Sequence, residues 1–155
     1  MAAIFTSDSL LRLNLNILPV SDLQRMSKAV IYVLRLKSNR FYVGKSTNIV
    51  QRIQEHLLGE GVSWTQKYPP IGIERALQNC TPFDEDKITK EYMAEYGIDN
   101  VRGGSYTQDI LSHEERVLIQ REIWVAYDRC KRCGHYGHVE ADCYAYLDVN
   151  GNEIF

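Results

Sequence analysis

Cys130, Cys133, His138 and Cys143 stand at the spacing C-x2-C-x4-H-x4-C within CKRCGHYGHVEADC. No other feature of the chain limits its folding as strongly. A segment of 14 residues cannot bury an apolar core, so something other than burial must hold it. Three thiolates and one imidazole form a closed tetrahedral donor set, the set that a structural Zn²⁺ takes. Gly134 and Gly137 fall where so short a chain must turn tightly around an ion, and glycine adopts such backbone angles without a Cβ penalty. Ligation then supplies the folding free energy. Three cysteines crowded around a histidine in a reducing compartment favour a metal over disulfides. Cys80 is left over and reads as a small core residue. His113 and His135 read as surface residues, because four ligands are present without them.

The 155 residues are enough for one domain of ordinary size with a small appendage. At 45% hydrophobic and 25% charged the chain can bury a core and stay in solution. A net charge of −2 does not announce a nucleic-acid binder, so any such role needs locally gathered cations. No apolar run approaches the ~18 residues of a membrane span. MAAIFTSDSLLRLNLNILPV lacks a basic segment followed by an unbroken apolar core, which predicts an intracellular, non-secreted protein.

Residues 1–28 keep neither a period of two nor one of 3.6 and read as an arm, with Ser21-Asp22 able to cap a short helix. Ala29–Leu36 is rich in Val, Ile, Tyr and Leu, and predicts a buried strand. Lys37–Arg40 is a polar turn, and Phe41-Tyr42-Val43 predicts the partner strand of a hairpin, stopped by Gly44. Ser46 or Thr47 can cap a helix over Asn48–Leu58, in which Ile49, Ile53 and Leu57 make the apolar stripe. Asn48, Arg52 and His56 share a neighbouring stripe. Val62–Pro70 reads as a loop and Ile71–Leu77 as a third strand. Asp84–Tyr96 predicts a helix with acids in its first turn and Gly97 at its end. Gly103-Gly104 marks a tight turn. Ser112 and Glu115 form a capping box opening a helix from His113 to about Tyr127. Asn150-Gly151 predicts a turn of a terminal hairpin.

Chemically, Tyr32 and Tyr42 can face one another across the hairpin, with Arg52 and Lys45 close by and a later acid such as Glu85. Two phenols, cations and a carboxylate suit phosphodiester hydrolysis: a phenol can help deprotonate water, arginine can clamp phosphate oxygens, and one carboxylate can hold Mg²⁺. Each residue also has a bland role, as strand packing, solvated cation or helix-start acid.

Two resemblances sharpen this. The segment 130–143 resembles the retroviral-type zinc knuckle, C-x2-C-G-x2-G-H-x4-C, at every signature position. That resemblance implies single-stranded nucleic acid bound by base stacking on Tyr136 or Tyr144, with phosphate contacts from Arg129, Lys131 and Arg132. The region 29–111 resembles the GIY-YIG nuclease family. Val30-Ile31-Tyr32 matches its first motif, with valine in place of glycine, and Tyr42-Val43-Gly44 matches its second. Arg52 matches the family's arginine, and His56 stands where a histidine is common. The family's metal-binding glutamate is best matched by Glu85, then by Glu91, then by Asp86. Asn100 is the candidate for the late asparagine, at a longer separation from Glu85 than in the excision-repair nucleases. Val101-Arg102-Gly103-Gly104 is shared with a subgroup that joins this domain to a knuckle; there Arg102 could contact phosphate or pair with Asp99.

The resemblances imply an α/β (α+β) domain with a small three-stranded mixed or antiparallel sheet flanked by helices. The expected layout is an arm (1–28), a nuclease-like domain (29–111), a connecting helix (112–128), a zinc knuckle (129–144) and a tail (145–155). The implied activity is an endonuclease cutting DNA. Tyr32 or Tyr42 would handle the water, and Arg52, Lys45 and His56 the phosphate charge. Glu85 would hold Mg²⁺ or Mn²⁺, and Zn²⁺ would be structural. A nucleic-acid-binding module without catalysis and a zinc-stapled interaction protein are the alternatives.

Overall fold

The computed structural model describes residues 28–154. The arm and its expected helix after Ser21-Asp22 therefore lie, but for Lys28, outside the described residues. The chain divides into two compact units that meet in sequence at Ile110 and Leu111.

The first unit is built on a sheet of order β3-β1-β2-β4. Strand β1 (Val30–Leu36) is central, with only Arg35 exposed, as its run of apolar and β-branched residues requires. It pairs antiparallel with β2 (Arg40–Ser46) through a turn in which Ser38 and Asn39 take left-handed angles, conformations that polar residues of this kind tolerate best. β3 (Pro70–Leu77) lies antiparallel on the other side of β1. β4 (Val101–Gly103) lies parallel to β2. The mixed α+β architecture is as expected, but the sheet has four strands, not three. A three-residue strand with an arginine at its centre has no hydrophobic period to reveal it.

Helix α1 (Ile49–Leu57) puts Ile49 and Ile53 into a core with Tyr32, Leu34, Tyr42, Trp64 and Ile73. Its cap is Asn48, whose side chain accepts from the Gln51 amide, while Ser46 Oγ accepts from the Asn48 amide. The expected cap at Ser46 or Thr47 is thus shifted by a residue or two. The expected loop after α1 contains a short helix, α2 (Ser63–Lys67), which buries Trp64 and lets its indole N–H donate to the Phe41 carbonyl at 3.0 Å. α3 (Asp84–Tyr96) buries Ile88, Thr89, Tyr92 and Met93, and Gly97 ends it at φ 101°.

In the second unit, α4 (His113–Ala126) opens on the complete capping box of Ser112 and Glu115. Ile119 and Trp124 are its buried residues. A Cβ on Gly134 would collide with the Trp124 ring, so the indole packs directly on the backbone of the cysteine loop. The tail turns at Asp148–Asn152 and closes with a bridge between Leu147 and Glu153. Among the described residues no helix is long and apolar enough to cross a membrane.

Candidate active site and metal centre

Tyr32 in β1 stands opposite Gly44 in β2. A Cβ at Gly44 would collide with the hydroxyl end of the Tyr32 phenol, so glycine at this position is what allows the phenol to lie across the hairpin. Gly44 does not stop β2, as the sequence had implied; the strand continues to Ser46. The Tyr32 hydroxyl is 2.9 Å from His56 Nε2, and His56 Nδ1 is 2.9 Å from Thr65 Oγ1. The Thr65 hydroxyl donates to the Val62 carbonyl. Its single proton is spent there, so Thr65 accepts from His56 Nδ1–H; Nε2 is bare and accepts from the Tyr32 hydroxyl. The network assigns the tautomer.

His56 is 1% exposed. Burial, helped by the Arg52 cation and opposed by Glu55, lowers its pKa from 6.5 to about 4. The ring is therefore neutral and an acceptor at physiological pH. Burial, with Tyr42 next, raises the Tyr32 pKa, while Arg52 opposes. Tyr42 lies 6.3 Å from Tyr32 and 5.1 Å from His56 between ring centroids, and burial raises its pKa too. Arg52 is half-buried and held by Glu55 at 2.6 Å. α1 places it one turn before His56, on the face that meets the two phenols.

Of the acids in DEDKITKE, Glu85 is the one whose charge acts on both Tyr32 and Tyr42. It is half-buried; burial and Asp86 raise its pKa, and Lys45 lowers it. Glu91 is exposed and pairs with Lys87 at 3.9 Å. Asp86 accepts from the Ser105 amide and hydroxyl, each at 2.7 Å. A partly buried carboxylate that holds its charge poorly, with no hydrogen bond to its oxygens among the described residues, is a hard donor suited to Mg²⁺ or Mn²⁺. Lys45 is exposed at the end of β2. Asn100 donates to the Tyr96 carbonyl at 2.7 Å and so ties the end of α3.

Arg102 corrects an expectation. It is 2% exposed. Its guanidinium donates to the carbonyls of Ile98, Val101, Gln108 and Asp109 and lies 4.8 Å from the Trp64 ring centroid. It cannot reach a phosphate, because it is buried and donates to four backbone carbonyls inside the fold. Thr65 and Gly61 are site residues that the sequence did not reveal. A Cβ on Gly61 would strike His56 Nδ1. Neither belongs to a period or a charge pattern, so no sequence signal marks them.

In the second unit, the ligand atoms of Cys130, Cys133, His138 and Cys143 lie within 4.8 Å of one another. Tetrahedral Zn²⁺ with bonds of about 2.3 Å needs sulfurs about 3.8 Å apart, so the donor set fits the ion in kind and in spread. Gly134 and Gly137 have φ of 78° and 96°. Of the three expected phosphate contacts, Lys131 is exposed, and Arg129 lies 4.7 Å from the centroid of the exposed Tyr136 ring. Arg132 instead donates to the carbonyls of Cys143 and Ala145 and to Cys143 Sγ, which makes it a brace of the loop. Tyr144 and Tyr146 are exposed.

A strand hairpin with paired tyrosines, an arginine helix and a helix-borne glutamate defines a class of nuclease domain, and the family model of the GIY-YIG catalytic domain matches residues 28–93. The chain belongs to the GIY-YIG family, a nuclease fold family whose members use divalent metals and act on nucleic acid. A UPF0213 protein of Staphylococcus haemolyticus (strain JCSC1435) is 35% identical over 67 residues, which is 43% of this chain and 79% of that protein. Its name states no activity. No solved structure matches the chain. The cysteine–histidine segment and the Val101–Ser105 stretch lie outside the residues matched by the family model.

Proposed function

We propose that this protein is a divalent-metal-dependent endonuclease that cleaves phosphodiester bonds in DNA, and that residues 130–143 form a zinc knuckle that helps engage nucleic acid. The observation carrying this reading is the chain of hydrogen bonds Tyr32–His56–Thr65 set beside Tyr42, Arg52 and Glu85. Because the Tyr32 proton is committed to His56 Nε2, the buried phenol oxygen keeps its lone pairs for accepting, on the side it shares with Arg52 and Tyr42. There it accepts a hydrogen bond from the attacking water and orients it for in-line attack. As the water gives up its proton to Tyr32, the Tyr32 proton shifts toward Nε2 only transiently, since burial and Arg52 keep the His56 ring a weak base. Tyr42 offers a second hydroxyl to the phosphate. Arg52, fixed by Glu55, binds non-bridging phosphate oxygens, and Lys45 adds charge at the rim. A Mg²⁺ or Mn²⁺ ion held by Glu85 would supply positive charge to the leaving oxyanion.

The knuckle works through bases more than phosphates. Residues 111–155 carry five Lys or Arg against eight Asp or Glu, and Arg132 is spent on its own loop. Exposed Tyr136, braced by Arg129, is the stacking platform.

Nicking of supercoiled plasmid tests the reading. Cleavage is expected with Mg²⁺ and not with EDTA, and Tyr32→Phe and Glu85→Gln should each lower the rate about 100-fold or more. Full cleavage by Glu85→Gln would remove the metal assignment. DNA binding with no cleavage under any divalent ion would make the chain a binding module.

A further inference from the structure

The stretch Val101–Ser105 plays no part in the chemistry above, yet it is the connection between the two halves of the site. β4 lies parallel to β2 with Arg102 paired to Tyr42 and Gly103 paired to Val43. Gly103 sits so close to β2 that a Cβ would strike the Val43 carbonyl. Gly104, at φ 52°, leaves room for the Asp86 carboxylate, which a Cβ would overlap. Ser105 then donates its amide and its hydroxyl to the two oxygens of Asp86. The strand itself is pinned by Arg102, whose guanidinium is anchored to four backbone carbonyls.

The N-terminal turn of α3 has no side-chain cap bond. Its outer acids are both used to fix it: Asp84 accepts from the Thr81 amide at 2.7 Å, and Asp86 from Ser105. Glu85, between them, makes no hydrogen bond through its carboxylate among the described residues. A helix turn loosely capped on its own is therefore fastened on either side of one carboxylate, and one fastening runs to the strand beside Tyr42.

We infer that Ser105 and Asp86 are positioning residues, and that Val101–Ser105 is a strut which sets the place of the Glu85 carboxylate relative to the tyrosine hairpin so that it can hold a divalent cation. This rests on the reading of Glu85 as the cation's ligand. Groups that orient a metal ligand typically matter about 10–100-fold in metal affinity.

The test uses the full-length zinc-loaded protein. Mn²⁺ binding is followed by the loss of the free-ion electron paramagnetic resonance signal, and the half-saturating Mg²⁺ concentration for plasmid nicking is measured in parallel. Ser105→Ala and Asp86→Ala are expected to weaken Mn²⁺ binding and raise half-saturating Mg²⁺ about tenfold, with the KM for DNA unchanged. Ser105→Thr, which keeps the hydroxyl, should recover wild-type values. If Ser105→Ala binds Mn²⁺ like the wild type, or loses turnover and melting temperature together with no change in metal dependence, the strut is only structural and the inference fails. If wild type and Glu85→Gln bind Mn²⁺ alike, the Glu85 assignment fails and the inference with it, a result distinct from the first.

Discussion

Lowering the pH from 7 to 5 is expected to cost the first unit about 2 kcal/mol through His56 alone. The ring is neutral in the fold because burial takes its pKa from 6.5 to about 4. Between these values the unfolded chain binds a proton that the folded one refuses. Stability is therefore full above the unfolded pKa and falls as the pH drops toward the folded one. The complete shift corresponds to about 3.4 kcal/mol at 1.36 kcal/mol per unit, and about 1.8 kcal/mol of it is lost between pH 7 and pH 5. Glu85, whose pKa is raised in the fold by burial, acts with the opposite sign. The quantity to measure is thus a difference between two proteins. Urea unfolding, read from Trp64 fluorescence in a Trp124→Phe background, would be compared for His56 and His56→Gln at pH 7, 6 and 5. Glutamine keeps an acceptor toward Tyr32 and does not titrate. The stability advantage of histidine should shrink by about 2 kcal/mol across this range, or roughly 1 M urea in midpoint. Parallel pH dependences would mean that His56 is not held neutral, and the assigned donation from Tyr32 to Nε2 would fall with it.

Gly44→Ala is expected to abolish plasmid nicking, because the new methyl displaces the Tyr32 ring from His56, while costing only about 1–3 kcal/mol in urea unfolding as an overpacked site. Arg102→Lys should lower stability by about 3 kcal/mol or more, since a single ammonium cannot replace a planar fork bound to four carbonyls; a change confined to DNA affinity would contradict its buried role. Removing zinc with a strong chelator should release one equivalent of metal and expose Trp124, seen as a red shift in its emission. Cys133→Ser should behave like the chelated protein, and DNA affinity should fall with a shallow salt dependence, because few phosphate contacts are lost.

Much of the fold could be read from local chemistry. The α3 bounds, the capping box at Ser112 and Glu115, and the tail turn at Asn150-Gly151 each follow from rules that act within a few residues. The expected loop at Val62–Pro70 hid α2, because five residues are too few for a helical period and Trp64 buries itself by a bond to β2. β4 was hidden because Arg102 is polar, and what makes it a core residue is a ring of carbonyls from the turns on either side of it, within seven residues, closed under the Trp64 ring. The same limit applied to the basic cluster of the cysteine loop: charge counted along the chain does not tell which arginine is spent on backbone.

The sequence by itself determined the donor set Cys130, Cys133, His138 and Cys143, the tyrosine hairpin and the helix that carries Arg52 and His56. These depend on spacing, period and residue chemistry within short stretches. Only the tertiary structure decided which of three acids bears on the phenols, that Thr65 sets the His56 tautomer, and that Ser105 fastens Asp86 19 residues away. Those choices depend on desolvation and on hydrogen bonds between segments that meet only when the sheet has formed.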